Sequence, residues 1–128
     1  GQELTLRYKG EVLVYLKIPT VVYENGKPSY VGDEVSRCFK NDDSGRMFRI
    51  INTVEGKWAF YNDTRVYNLC VSVTFGLRSK VEGLGNTSLT VNDEGMTVAS
   101  VTVQPGATEM FITGTVNGYT CSYDAVPV

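Results

Sequence analysis

Apolar residues recur at every second position along much of this chain. Tyr67, Leu69, Val71, Val73 and Phe75 alternate with Asn68, Cys70, Ser72 and Thr74, which predicts a strand with one buried and one wet face. Tyr119, Cys121, Tyr123 and Ala125 alternate with Thr120, Ser122 and Asp124 in the same way. Between residues 96 and 103 the apolar phase shifts, from Met96 and Val98 to Val101 and Val103. That shift predicts a bulge near Ala99-Ser100.

Turn chemistry separates the runs. Asn117-Gly118, flanked by Val116 and Tyr119, carries the strongest hairpin signal, because both residues tolerate the positive φ of a two-residue turn. Asn25-Gly26, Asp43-Ser44-Gly45, Glu55-Gly56 and Asp93-Glu94-Gly95 mark further reversals. Pro19, Pro28, Pro105 and Pro127 fall at run ends, where a missing N–H does little harm. No window sustains helical apolar spacing over three turns. The expected fold is all-β: an antiparallel sandwich or barrel of roughly eight to ten short strands with little helix.

Three runs are apolar on both faces: Val12-Leu13-Val14-Tyr15-Leu16, Trp58-Ala59-Phe60-Tyr61 and Met110-Phe111-Ile112. In a small antiparallel domain one face is usually solvated. Such runs are either central strands covered on both sides or the floor of an exposed apolar groove. For the groove, the candidate lining is Val14, Leu16, Trp58, Phe60, Met110 and Ile112.

Composition narrows the picture. The 128 residues suffice for a single domain, spanning 1–128, with 1–11 expected as a flexible N-terminal segment and 12–128 as the β domain. The net charge of −2 gives no global attraction to nucleic acid or anionic lipid. The longest apolar stretch, Val12–Leu16, is far short of the ~20 residues a membrane helix needs. Cys38, Cys70 and Cys121 are odd in number and widely spaced, so reduced thiols of a cytosolic-type domain are expected. Asn62-Asp63-Thr64 and Asn86-Thr87-Ser88 match the glycosylation acceptor pattern, and no secretory leader accompanies them, so both are read as chance.

Catalytic constellations are scarce. Histidine is absent, which removes Ser-His-Asp and Cys-His arrangements, HExxH zinc sites and imidazole acid–base work together. Cys38 follows Arg37, a cation that lowers thiol pKa, but no base stands ready to activate it. Asn41-Asp42-Asp43-Ser44-Gly45 fails as a calcium loop, because Lys40 falls at the first position and Ile51 where the bidentate glutamate belongs. Gly83-Leu84-Gly85 lacks the third glycine of a nucleotide loop. Carboxylate pairing among Asp33, Glu34, Glu82 and Glu109 is left open by sequence alone. Basic and aromatic residues interleave from Arg37 to Trp58, yet five cations face three anions there, too thin to track a phosphate backbone. No metal, cofactor, nucleic acid or enzymatic activity is expected.

Longer segments carry a family resemblance. Gly26-Lys27-Pro28-Ser29-Tyr30, Glu34-Val35-Ser36-Arg37-Cys38-Phe39-Lys40-Asn41 and Lys57-Trp58-Ala59-Phe60-Tyr61-Asn62-Asp63-Thr64 resemble the small kinetoplastid calpain-related proteins. So do Pro105-Gly106-Ala107-Thr108-Glu109-Met110-Phe111 and Gly114-Thr115-Val116-Asn117-Gly118. The resemblance covers Tyr23 to Val128, and the small myristoylated proteins of the trypanosomatid flagellar membrane are closest in size. It implies a module found before calpain-like protease domains, here without the protease. It also draws attention to Gly1, since Gly1-Gln2-Glu3-Leu4-Thr5 fits the myristoylation pattern if an initiator methionine precedes it. Gln2 stands where flagellar members often carry a cysteine for palmitoylation, and one myristoyl chain binds membranes only marginally.

The expectation is a non-catalytic, membrane-peripheral structural or adaptor protein at the cytoplasmic side of the flagellar or plasma membrane. Its partners would be membrane lipid or an acyl chain, and other flagellar or cytoskeletal proteins. Two alternatives stand beside it: a fatty-acid-binding protein, and a protein–protein interaction module of a calpain-like chain.

Overall fold

The structure, a computed structural model, describes residues 23–38 and 46–128 in full and the strands at 2–8 and 11–18 by their backbone. Strands β1 (Gln2–Tyr8) and β2 (Glu11–Ile18) form an antiparallel sheet of their own. The remaining strands are β3 (Glu34–Arg37), β4 (Met47–Asn52), β5 (Lys57–Asn62), β6 (Tyr67–Phe75), β7 (Lys80–Gly83), β8 (Ser88–Val91), β9 (Thr97–Val103), β10 (Thr108–Thr115) and β11 (Tyr119–Pro127). They build one five-stranded sheet, in order β3-β4-β5-β10-β7, and one four-stranded sheet, in order β11-β6-β9-β8. All pairings are antiparallel, and no helix occurs among the described residues. The expected all-β sandwich is what forms.

The alternating strand β6 behaves as its pattern predicts. Leu69, Val71, Val73 and Phe75 are buried, while the residues between them are only half-covered. They meet Trp58, Phe60, Phe111 and Ile112 of the five-stranded sheet in one interior cluster. Rings of Phe60 and Phe111 pack edge to face with centroids 4.9 Å apart, a favoured aromatic geometry. Each fully buried aromatic or aliphatic side chain here contributes about 1.5–3 kcal/mol.

The two-sided run at β5 has a definite cause. This strand is central in its sheet, so Trp58 and Phe60 face the interior while Ala59 and Tyr61 face the opposite side. On that outer side Tyr23, Tyr30 and Val35 cover Ala59, Tyr61, Phe48 and Ile50 in a second apolar cluster. A covering segment, residues 23–33, thus acts as a third layer over the five-stranded sheet. Both faces of the run are closed.

Two sequence expectations are corrected. Strand β9 carries no bulge at Ala99-Ser100, because Ala99 itself takes the core position and continues Val101 and Val103 in unbroken register with β6. The interior bulge lies in β10 instead, where the register against β5 shifts between Met110 and Ile112. That extra residue lets the consecutive Phe111 and Ile112 both enter the interior, while Met110 packs against the outer cluster. Asn117-Gly118 is not a two-residue hairpin either. It connects β10 to β11, which belong to different sheets, so the chain crosses the sandwich there. Gly118 still has a φ of 79°, and its carbonyl accepts a hydrogen bond from the Gly76 N–H at 2.8 Å. The expected reversals at Glu55-Gly56 and Asp93-Glu94-Gly95 are the β4–β5 and β8–β9 hairpins. Asp43-Ser44-Gly45 and Pro19 lie outside the described residues.

A buried polar cluster holds the layers together at the end of β5. Asn62, Asp63 and Thr64 are all buried, so this acceptor-like triplet is a structural network. The Asn62 amide donates to the carbonyls of Tyr67 and Val103, both at 2.8 Å, joining the two sheets. Its oxygen accepts from the Thr64 N–H and hydroxyl. Asp63 turns the other way. Its carboxylate accepts from the N–H groups of Glu24 and Asn25, both at 2.8 Å, and from the Tyr61 hydroxyl at 3.0 Å. Arg46 pairs with it at 3.5 Å. Burial, then the Asp63 hydrogen bond and charge, push the Tyr61 phenol up to about 12.

Removing the clamp has measurable consequences. Asp63→Ala leaves several donors unsatisfied and costs about 3 kcal/mol in urea unfolding, whereas Tyr61→Phe costs about 1. Loss below ~0.5 kcal/mol for Asp63→Ala would show that the covering segment is held by other contacts. Because folding favours the protonated Tyr61 phenol, its contribution is intact below the ordinary phenol pKa of ~10 and is lost as pH rises through about 12. Unfolding free energies measured stepwise in pH should decline over that window, and less steeply in Tyr61→Phe. Gly118→Val, which forces a β-branched residue to positive φ, should lower stability by about 1 kcal/mol. An unchanged midpoint would show that this crossing tolerates other backbone conformations.

Candidate functional site

The covering segment creates a largely apolar concavity on the described surface. Tyr23, Pro28, Tyr30, Val31, Gly32, Val35 and Ile50 line a cleft of about 280 Å³ on the outer side of the five-stranded sheet. Lys27 is the sole charged residue in its wall. Val31 is 81% exposed at this cleft, an unusual position for a β-branched aliphatic residue.

Local chemistry fixes the shape of this site. The segment is pinned at its start by Asp63, through Glu24 and Asn25. Midway, the Ser29 N–H donates to the Thr108 hydroxyl, and the Tyr30 hydroxyl donates to the Glu55 carboxylate at 2.7 Å. At its end, Asp33 accepts from the Thr53 N–H and hydroxyl, and these bonds hold the Asp33 carboxyl below its usual range. Gly32 is required where it stands, because a Cβ there would lie 2.4 Å from the Ile51 carbonyl oxygen. Tyr23 packs edge to face on Phe48 and Tyr61, with centroids at 5.1 and 5.4 Å. Burial, then the Asp63 charge, raise its phenol pKa. These bonds and ring contacts tie the walls to the sheet beneath.

Among the described residues, those expected to line a groove do not share one. Trp58, Phe60 and Ile112 are 6%, 0% and 0% exposed and lie between the sheets, whereas Met110 packs on the outer cluster. Alternation sends neighbouring positions of β5 and β10 to opposite faces, and the β10 bulge separates Met110 from Ile112. Val14 and Leu16 belong to β2, in register with Leu6 and Leu4, and their side chains lie outside the described residues, as does Gly1. The cleft residues were missed because Tyr23, Pro28, Tyr30 and Val31 sit in an irregular segment with no periodicity. The available signal was a Gly-Lys-Pro-Ser-Tyr-Val-Gly stretch holding more apolar surface than a solvated loop needs.

The Cys38 thiol is not activated as a nucleophile. Burial pushes the Cys38 thiol up to about 12, outweighing a hydrogen bond from Tyr123 and the charge of Arg49. The expected lowering by the adjacent Arg37 does not occur. All three cysteines are free thiols. Among the described residues no cluster of three or more metal-ligating side chains occurs, and no helix is long and apolar enough to cross a membrane.

Comparison with known proteins places the chain. Residues 23–128 match the family model described as a domain of unknown function, DUF1935. The structure is similar to the NMR structure of SMP-1 (Small Myristoylated Protein) from Leishmania major, with a TM-score of 0.79 and 46% sequence identity, over 85% of this chain and 82% of that one. It is also similar to a Leishmania major hypothetical protein, with a TM-score of 0.75 and 32% identity, over 84% of this chain and 93% of that one. No curated protein matches the chain. On a family match that begins at the first residue of the covering segment and runs to the last residue of the sandwich, the chain belongs to the DUF1935 family.

Proposed function

We propose that this chain is a non-catalytic, membrane-peripheral structural or adaptor protein, held by an acyl chain at the cytoplasmic side of a flagellar or plasma membrane. The observation that carries the reading is the 46% identity, over most of both chains, to a protein known as a small myristoylated protein. Gly1-Gln2-Glu3-Leu4-Thr5 fits the acylation pattern if an initiator methionine precedes it. The likeness to calpain-related proteins adds a context in which this fold serves as an accessory module, with flagellar or cytoskeletal proteins as its partners. The non-catalytic reading rests on the lack of histidine and on the high pKa of the Cys38 thiol, which leave that thiol without activation as a nucleophile.

The outer cleft favours a second, compatible reading, in which the protein holds an acyl chain, its own or a free fatty acid. Each methylene moved from water into such a site gains about 0.8 kcal/mol, so affinity rises with chain length and survives high salt. Intact mass of the protein from its own cell should show one acyl group, and Gly1→Ala should abolish both that mass and membrane retention. NMR titration of the unacylated chain with monomeric fatty acids of increasing length should give saturable shifts confined to Tyr23, Tyr30, Val31, Val35 and Ile50. Shifts spread evenly over the surface would sink acyl capture. An unmodified Gly1 in the native protein would sink the anchor.

A further inference from the structure

A second concavity opens at the side of the sandwich, where β3 and β4 of one sheet face β11 of the other. It has a volume of about 300 Å³, and Arg49, Cys38 and Tyr123 are among its lining residues. Its electrostatics are unusual for a chain of net charge −2. Arg37 and Arg49 both form part of the wall, and no aspartate or glutamate does. Among the described residues neither arginine has an ion-pair partner, whereas Arg46 pairs with Glu24 and Asp63.

Arg49 is held in place rather than left to sample solvent. Its guanidinium lies 5.0 Å from the Trp58 ring centroid and 5.1 Å from that of Tyr119. One terminal nitrogen donates to the Tyr119 hydroxyl at 2.9 Å, and the other reaches the Ser36 hydroxyl at 3.4 Å. Its Nε, and the Nε of Arg37, are buried without a hydrogen-bond acceptor. A buried guanidinium N–H that meets no acceptor is costly. Burial pulls the Arg49 pKa down, but the Tyr119 hydrogen bond and the electrostatic influence of Tyr119, Tyr123 and Cys121 together raise it by more, so the cation persists.

We propose that this cleft is a binding site for a phosphate-type oxyanion, with the Arg49 Nε–H as its principal donor and Arg37 as the second cation. The pairing suits the chemistry. A guanidinium presents a planar fork that matches phosphate oxygens, and a pre-stacked one loses little side-chain entropy on binding. The Tyr123 hydroxyl and the Cys38 thiol in the same wall, both raised in pKa by burial, neither repel an anion nor compete as carboxylates would. The oxyanion has two sources of the same chemistry, a soluble phosphate monoester or a lipid phosphate headgroup.

The site stands apart from acyl anchoring, so unacylated full-length protein tests it without touching that reading. NMR titration with inorganic phosphate, observing the arginine Nε–H signals, should shift Arg49 saturably with a Kd of about 1 mM. Arg49→Lys, which keeps a cation but loses the fork, should weaken binding about tenfold. Arg37→Ala should weaken it severalfold at an unchanged thermal midpoint, and Arg78→Ala, outside the cleft, should leave it unchanged. Flotation with phosphatidylcholine vesicles, with and without phosphatidic acid, assigns the source. Retention on phosphatidic acid that falls in Arg37→Ala identifies the headgroup, and phosphate shifts without retention identify a soluble monoester. The proposal is overturned if phosphate leaves the Arg49 Nε–H unmoved, whatever the vesicles do. It is equally overturned if Arg78→Ala weakens binding as much as Arg37→Ala.

Discussion

A central strand that is apolar on both faces cannot be satisfied by a two-layer sandwich, and the rest of this structure follows from that constraint. With Trp58 and Phe60 spent on the interior, Ala59 and Tyr61 would face water. An irregular segment must therefore be recruited as a third layer. Irregular backbone brings polar groups with it, and a buried carboxylate answers that need. Asp63 takes up two N–H groups of the segment and the hydroxyl of the very tyrosine it covers. One acidic side chain thus couples the outer layer to the sheet through bonds whose loss would be costly on both sides.

The same constraint generates the surface features that bear on function. Because the third layer is a loop and not a sheet, it fits the strands beneath imperfectly and leaves a cleft where Val35 and Ile50 meet Tyr30 and Val31. Because the two sheets are joined by crossings rather than closed as a barrel, an open side remains between β4 and β11. Arg49 spans that gap, with aromatic rings from both sheets against its guanidinium. The closed interior offers nothing comparable.

Much of the fold was legible in the sequence because period-two alternation is a direct consequence of strand geometry. The strand at Tyr67–Phe75 and the hairpins at Gly56 and Gly95 follow from local chemistry alone. Failures came where a local signal was outvoted by long-range pairing. Asn117-Gly118 has the conformation its residues favour, but its flanking strands pair with other partners, which no two-residue motif can specify. At Ala99 a small residue held the core position, so phase was misread from the larger Val98 beside it. The site was less legible still. Apolar doublets on β5 and β10 suggested a groove, yet burial depends on which layers are present, and the covering segment declares itself only by composition.

The buried triplet Asn62-Asp63-Thr64 carries a consequence for the route by which this chain matures. Oligosaccharide transfer acts on extended chain before it folds, and the acceptor would be the same Asn62 amide that later bridges Tyr67 and Val103. A sugar on that nitrogen removes one of its two donor hydrogens and cannot be accommodated at a position with no solvent exposure. Glycan attachment and completion of this sandwich are mutually exclusive outcomes for a single molecule. Passage through a glycosylating compartment would divide the chains into those that escape modification and fold and those that are modified and do not.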